Sequence, residues 1–404
     1  MTGALQGIRI FDMSRVLAGP SCTQLLGDLG ADVIKVERPG EGDDTRKWGP
    51  PFLKNAAGQD TGESSYYLSA NRAKRSLTLD FTKPAGRELA LRLIRQCDVL
   101  VENYKVGTLA RHGLGYEALH RELPRLVYCS VTGFGQTGPY AARPGYDFLA
   151  QAMGGIMSLQ GEPEGEPMKG AVAVADLMTG MYGAVAILAA LHHRDRTGEG
   201  QQIDMALLDT QVAWLGNQAQ AYLTSGQVPP RLGNAHASVV PYQVFASADG
   251  HIVLACGNDG QFKRFCACAG VPDLAADPRF STNSARVVNR AVLVPEIARI
   301  IARRSAADWI GMLEREGVPC SPINRLDQVF ADPQVEARGL VVAMQHKDAP
   351  APIALLANPI RFSATPVAYL DPPPTLGQHT DAILRDMLGL SSNEIAALRA
   401  AGVV

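Results

Sequence analysis

The residue in this sequence best placed to do chemistry is Asp176, in the run AVAVADLMTG. Its neighbours Val172, Ala173, Val174, Ala175 and Leu177 are small or apolar. A carboxylate in such surroundings is unfavourable unless something pairs with it or uses it. Two readings stand open. Aspartate is a favoured helix N-cap, and an apolar helix is expected from about Thr179 to His193. A carboxylate in a perturbing environment is also the kind of group that serves as a nucleophile or base. A second reactive-looking stretch is GFGQTG, Gly133 to Gly138, which matches G-x-G-x-x-G. Pro139 follows it, no clear helix opens there, and the chain has already passed its first strand–helix–strand unit. A dinucleotide site is therefore not expected, and a Gly-rich active-site loop is. Cys266 and Cys268 stand one residue apart with no second pair, so no zinc or other metal site is expected.

The elements that must position these residues follow from the apolar pattern. GIRIFDM and ADVIKVE predict strands at Ile8–Asp12 and Asp32–Glu37, with a helix between them from near Pro20 to Gly30. That is a βαβ unit, which requires a parallel sheet. KRSLTLDF, DVLVENY and LVYCSVTGF predict further strands, and PAGRELALRLIRQC a helix with Leu89, Leu93 and Ile94 on one face. The strands end in polar residues: Ser14 and Arg15, Glu37 and Arg38, and Glu102, Asn103 and Tyr104. Parallel sheets place ligands at such ends. PGEGDDTRKWGPP reads as an exposed charged loop, and an apolar helix follows Asp147. QQIDMALLD reads as a strand passing into a helix, with helix expected over Thr210–Thr224.

Beyond that helix the pattern changes. YQVFAS and HIVLAC predict a hairpin about Ala248–Gly250. Helices are expected at about Asp259–Ala269, Arg290–Arg303 and Ala306–Glu316. The reading is a discontinuous Rossmann-like α/β domain, residues 1–225 and 326–404, with a smaller α+β domain at 226–325. IRFSA reads as a strand, DPPPTLGQHT as an arm that wraps without packing, and SSNEIAALRAAG as a last helix.

Composition narrows the function classes. A net charge of -2 over 404 residues, with no long Lys/Arg run, offers nothing to nucleic acid. The apolar helix after Asp176 is read at about 15 residues, short of the roughly 20 that span a bilayer, so no membrane is expected as partner. No signal-peptide pattern opens the chain, and the seven cysteines are scattered and odd in number. Reduced thiols and a cytoplasmic location are the expectation.

In ordered blocks over essentially its whole length, the sequence resembles the class III CoA-transferases, the formyl-CoA transferase and carnitine CoA-transferase group. The blocks are VLAGP (Val16–Pro20), DLGADVIKVERPGEGDDTR (Asp28–Arg46), NRAKRSLTLD (Asn71–Asp80), DVLVENY (Asp98–Tyr104), GFGQTGP (Gly133–Pro139), GYDF (Gly145–Phe148), ADLMTGMYGA (Ala175–Ala184) and RTGEGQQIDMALLD (Arg196–Asp209). The resemblance implies an interlocked homodimer of ring-shaped subunits, no prosthetic group, and a coenzyme A thioester as substrate. It implies that Asp176 is the nucleophile. An ionised carboxylate attacks a thioester without a general base, through a mixed anhydride and then an aspartyl-CoA thioester. It further implies that Val16, Arg38, Leu79, Asn103, Tyr104 and Arg111 line the CoA site, the two arginines facing phosphates. Tyr146 and Asp147 match a Tyr–carboxylate pair beside the nucleophile, where Asp147 orients or polarises; alternatively, Asp147 caps the helix after it. Gly257 and Gly260 match a mobile loop over the active site.

Departures from the family narrow the substrate. Arg15 and Leu17 stand where formyl-CoA transferases carry His and Gln, which argues against an oxalate specialist. Tyr146 stands where the related α-methylacyl-CoA racemases carry an acid–base His, which argues against racemisation. GNAHASVVPYQVF (Gly233–Phe245) resembles the branch that uses succinyl-CoA. Arg15, Arg72, Lys74, Arg75 or His236 are the candidates to hold a distal carboxylate. The expected reaction is CoA transfer from succinyl-CoA to a dicarboxylic acid such as glutarate or malate. The alternatives are an acyl-CoA isomerase, whether racemase-like or transferring CoA within one molecule, and a non-catalytic acyl-CoA-binding protein.

Overall fold

The computed structural model describes residues 3–404. They form two compact units. The first comprises residues 3–156, Gly170–Gln220 and Glu336–Val404, the second Met157–Lys169 and Ala221–Val335. The linear reading gives no sign that Met157–Lys169 goes with the second unit.

The first unit is built on six parallel strands: β1 (Arg9–Asp12), β2 (Asp32–Glu37), β3 (Lys74–Thr78), β4 (Val99–Glu102), β5 (Val127–Thr132) and β6 (Gln202–Ala206). Their order across the sheet is β3-β2-β1-β4-β5-β6, every neighbouring pair parallel. This is the Rossmann-like order, whose direction reverses between β1 and β4. Both faces are covered, so the strands are nearly continuous apolar runs. Alternate residues go to opposite cores, as a pleated strand requires. Phe11, Ile34 and Leu100 pack on one face with Leu89, Leu93 and Ile383. Ile10, Val33, Val99 and Val101 pack on the other with Ala184 and Ile187.

Four helices matter to the site: α1 (Ala18–Asp28), α2 (Asp147–Met153), α3 (Val174–Thr197) and α4 (Leu207–Ala213). Helix α3 starts earlier and ends later than expected, and its 24 residues are long and apolar enough to cross a membrane by length and composition. The length argument from the sequence therefore fails. What the structure shows is packing: Ala175, Thr179, Gly183, Ile187 and Leu191 are buried along one side. Gly180 permits the closest approach to α1, since a Cβ there would lie 2.7 Å from the Ala18 carbonyl oxygen.

Four other expectations are corrected. The charged loop is not exposed throughout: Asp43, Thr45 and Arg46 are buried in it. Arg46 donates to Glu37, Glu63 and the Pro374 carbonyl, and its guanidinium carbon lies 3.7 Å from the Tyr67 ring centroid. The Pro-rich arm thus packs, with Pro373, Pro374 and Thr375 buried. IRFSA is irregular; the strands nearby are Val341–Met344 and Ile353–Leu356. Asn358 captures the Ile360 N–H and Pro359 has no donor, which takes the chain out of the ladder. Thr210–Thr224 is not one helix. It breaks after Ala213 and restarts at Gly216, whose φ of +52° suits glycine.

The second unit carries an antiparallel sheet of Tyr242–Ala246, His251–Ala255 and Cys320–Pro322. Helices Asp259–Cys268, Arg290–Ile301 and Ala306–Arg315 contribute Phe262, Phe265, Ile297 and Trp309 to its core. Arg286 is buried there, donating to the Val240 and Phe280 carbonyls and to Asp259.

Candidate active site

The strand-order reversal leaves a crevice beyond the ends of β1 and β4, and the chain builds a site there. The two strand ends are tied by Asn103. Its Oδ1 accepts the Arg15 N–H at 2.9 Å and its Nδ2 donates to the Arg15 carbonyl at 2.7 Å. Val16 follows with φ +70°, a left-handed conformation that a β-branched residue adopts only under constraint. The constraint is visible: the Val16 N–H points at the Asp43 carboxylate, 3.2 Å from Oδ1, and Asp43 is locked to Lys35 at 2.8 Å. The buried part of the charged loop therefore holds the turn between β1 and α1.

Asp176 lies in the first turn of α3, half-buried. It is not the cap of that helix. The N-cap residue is Ala173, with no side-chain cap of its own, and the missing acceptor comes from another helix. Asp147 Oδ1 accepts the N–H groups of Ala175 (2.8 Å) and Asp176 (3.2 Å). Its Oδ2 accepts from Gln151, whose amide oxygen in turn takes the Gly170 N–H. Asp147 is likewise not the N-cap of its own helix, α2, where Tyr146 holds that position. It caps α3 across a gap of 28 residues, which no local sequence pattern displays.

Asp176 forms no ion pair among the described residues. Burial, and then the like charge of Asp147, push its carboxyl up to about 7. The helix N-terminus favours the anion and works against this. Tyr66 is pushed up to about 12 by burial, the charges of Asp176 and Asp147 adding to the effect.

A cavity of about 180 Å³ brings Asp176 together with Arg15, Val16, Leu17, Asn103, Tyr104 and Tyr146. A neighbouring cavity of about 420 Å³ shares Arg15, Asp44 and Tyr104 with it and takes in Arg38 and Leu79. Arg38 is exposed there and paired with Glu41 at 3.2 Å. Arg111 lines neither cavity; its guanidinium lies 3.4 Å from the Thr108 hydroxyl. His236, Gly257 and Gly260 belong to the second unit. There the His236 ring accepts the Ser238 N–H. Gly257 donates to Gln261, and Asn258 caps Asp259–Cys268, so the glycine pair forms a helix start.

The basic cluster suggested for a distal carboxylate is committed elsewhere. Arg72 holds Asp28 at 2.6 Å and Lys74 holds Asp12 at 3.3 Å, both buried, while Arg75 pairs with Asp32 at 2.7 Å. Sequence reasoning missed Asp43, Tyr66 and Arg143. Asp43 lay in a stretch read as an exposed loop, Arg143 in one given no role, and Tyr66 reaches the site only through the fold.

A carboxylate held half-buried at a helix start, with no cation on it and a cavity before it, is suited to attack an electrophilic carbonyl. Comparisons with known proteins place the chain in a family. Residues 5–380 match the model of CoA-transferase family III. The chain is 50% identical over 383 residues to a succinate–glutarate CoA-transferase of Agrobacterium fabrum, covering 95% of each. It is 44% identical to the human succinyl-CoA:glutarate CoA-transferase, over 99% of this chain and 90% of that one. A solved CAIB/BAIF family protein from Brucella suis superposes with a TM-score of 0.85 at 48% identity, covering 96% of this chain and 100% of that one.

Proposed function

Since the chain belongs to CoA-transferase family III, we propose that it moves CoA from succinyl-CoA to a dicarboxylic acid of the glutarate type through Asp176. The observation that carries this is Asp176 itself: half-buried, without a cation and opening onto a cavity. The relatives that act on glutarate at 44–50% identity support the substrate class.

In the proposed sequence an Asp176 oxygen attacks the thioester carbonyl carbon, the C–S bond breaks, and CoA thiolate leaves. The resulting mixed anhydride is attacked by the thiolate at the Asp176 carbonyl, releasing succinate and leaving an aspartyl-CoA thioester. The acceptor carboxylate attacks that thioester and expels the thiolate again. Return of the thiolate to the acceptor carbonyl gives the new acyl-CoA and restores the Asp176 carboxylate. No proton is moved, so no general base is required. Asp147 is the positioning residue, fixing the first turn of α3 and setting the charge felt by Asp176. The larger cavity, with Arg38 and Leu79, supplies room for the nucleotide end of CoA.

The partner in this reading is a second copy of the chain. Phe148, Leu149, Met181, Tyr182, Val185 and Trp214 are exposed apolar side chains of the first unit, more than a solvated face needs. All seven cysteines are unpaired thiols, which supports a cytoplasmic location. Purification from an oxidising compartment would overturn that.

The test is to incubate the protein with succinyl-CoA and glutarate and follow glutaryl-CoA by mass spectrometry. Asp176→Ala should lower transfer by roughly 10⁴-fold, and hydroxylamine should trap the aspartyl thioester on Asp176 in the native protein. Transfer that survives the substitution sinks the mechanism. Light scattering on the same sample should give twice the 43.1 kDa chain mass, and a monomer that transfers CoA would refute the dimer.

A further inference from the structure

We propose that Arg143 is the specificity-determining residue that holds the far carboxylate of the dicarboxyl group, an inference that rests on the dicarboxylate reading above. A substrate that presents one carboxyl to Asp176 must place its other carboxylate within the same cavity or at its mouth. Asp176 and its neighbour Asp147 are both acidic, so that second charge needs a cation from another wall.

Three cationic side chains line the cavity: Arg15, Lys105 and Arg143. Arg15 is already engaged. Its Nη1 donates to Asp44 at 2.9 Å and its guanidinium lies 5.3 Å from the Tyr104 ring centroid. Lys105 is exposed and also lines a separate cavity with Glu102. Arg143 differs from both. It is exposed, and no carboxylate lies within ion-pair distance of it among the described residues. Its guanidinium carbon lies 4.0 Å from the Tyr140 ring centroid, and the Tyr140 ring packs edge-on to Phe134 at 5.8 Å. The planar fork is therefore held in place before any ligand arrives, with its donor edge free.

The loop that carries Arg143 is built to keep it there. Its two ends meet at Gly133 and Gly145, where a Cβ on Gly145 would fall 2.2 Å from the Gly133 Cα. The Gln136 N–H donates to Asp204 at 2.9 Å, and the Arg143 N–H donates to the Tyr140 carbonyl at 2.8 Å. One end of the loop continues β5 and the other enters α2 through Tyr146 and Asp147. Arg143 is thus referenced to the same helix start that positions Asp176. A guanidinium with a free edge recognises carboxylate bidentately, where an ammonium offers only a point charge.

The experiment compares glutarate with valerate, an acceptor of equal chain length that lacks the second carboxylate, using succinyl-CoA as donor. In the native protein the kcat/KM ratio should favour glutarate. Arg143→Gln should reduce that ratio by roughly 10- to 100-fold, chiefly through KM for glutarate, and Arg143→Lys should restore part of it. A glutarate preference that survives Arg143→Gln overturns the assignment while leaving the dicarboxylate reading intact. So does an equal loss for glutarate and valerate, which would show that Arg143 does not read the second carboxylate. A native protein that prefers valerate overturns both readings.

Discussion

Two groups of buried or half-buried charge sit at the same end of the sheet, and they differ in one respect. In the first, each charge is given a partner of opposite sign or several hydrogen bonds. Burial by itself would raise the Asp12 carboxyl, but Lys74, Lys35 and the Ser14 and Thr23 hydroxyls bring it below its ordinary value. Burial is likewise outweighed at Asp43 by Lys35 and Thr45, which hold it down to about 2, and at Glu37 by Arg46. In the second group the only charge acting on Asp176 is that of Asp147, and burial with that like charge pushes it up to about 7. The first arrangement fixes a strained turn; the second leaves a reactive group uncompensated. Opposite charges hold the first group in its structural role, whereas Asp176 is raised with neither a cation nor a side-chain hydrogen bond to offset burial. Glu63 tests the distinction from within the first group. It shares Arg46 with Glu37, and burial, with the like charges of Glu37 and Asp348, pushes it up to about 7 against the pull of Arg46.

The comparison breaks most sharply at Arg46. Arg46→Ala would leave Glu37 and Glu63 buried without the guanidinium they share, while the Tyr67 hydroxyl still donates to the Pro374 carbonyl. Removing one partner of such a network costs about 3–5 kcal/mol, and the thermal midpoint should fall by about 5 °C. Protein that remains folded should still form the aspartyl intermediate. A variant with an unchanged midpoint but no transfer would show that the network belongs to the chemistry.

The same contrast explains how much was legible in the sequence. β2 was found at its observed bounds, and the other sheet strands to within a few residues, because strands buried on both faces are apolar runs bounded by polar ends. The polar strand ends Arg15, Asn103 and Tyr104 led to the crevice because parallel topology places them there. The charged loop was misread because a Gly/Pro-rich, charged segment looks solvated; burial of Asp43 and Arg46 depends on Lys35, Glu37 and Glu63 arriving from elsewhere. The cap of α3 was invisible for the same reason. Asp176 looked like its own cap, whereas Asp147 supplies that function through space. Arg72 and Lys74, candidates from the sequence to hold a distal carboxylate, are buried partners of Asp28 and Asp12.

A second way to sharpen the comparison is through stability. Burial pushes the folded carboxyl of Asp176 up to about 7, against 3.8 for a free aspartate side chain. A raised folded pKa means that the folded state binds the proton more tightly. The resulting stabilisation is fully present below the unfolded pKa and is lost as pH rises through the folded one. Above pH 7 the folded protein therefore carries a charge it would be more stable without. Asp176→Asn should gain on the order of 1–2 kcal/mol at pH 8, after allowance for solvent screening at a half-buried group, and very little at pH 4. Thermal melts at the two pH values decide it. A loss of stability at pH 8 would mean that Asp176 is compensated after all, and the contrast with Asp43 would fall.

The smallest expected effect isolates the one neighbour that Asp176 does have. Asp147→Asn removes a negative charge but keeps an oxygen that can accept the Ala175 and Asp176 N–H groups, so α3 stays capped. The amide cannot accept from Gln151 at its other atom, and a flip of Gln151 would cost the Gly170 N–H its acceptor, a penalty of about 1 kcal/mol. Ionised Asp176 is the attacking form, so kcat/KM should rise with pH through about 7 in the native protein. Without the like charge the rising limb should move to lower pH. Because burial is the larger cause, it should remain above the ordinary carboxylate range. A limb that stays in place would assign the whole perturbation to burial and leave Asp147 with the cap alone. A limb that falls to the ordinary range would show that the carboxylate pair, and not the cavity wall, is what keeps Asp176 uncompensated.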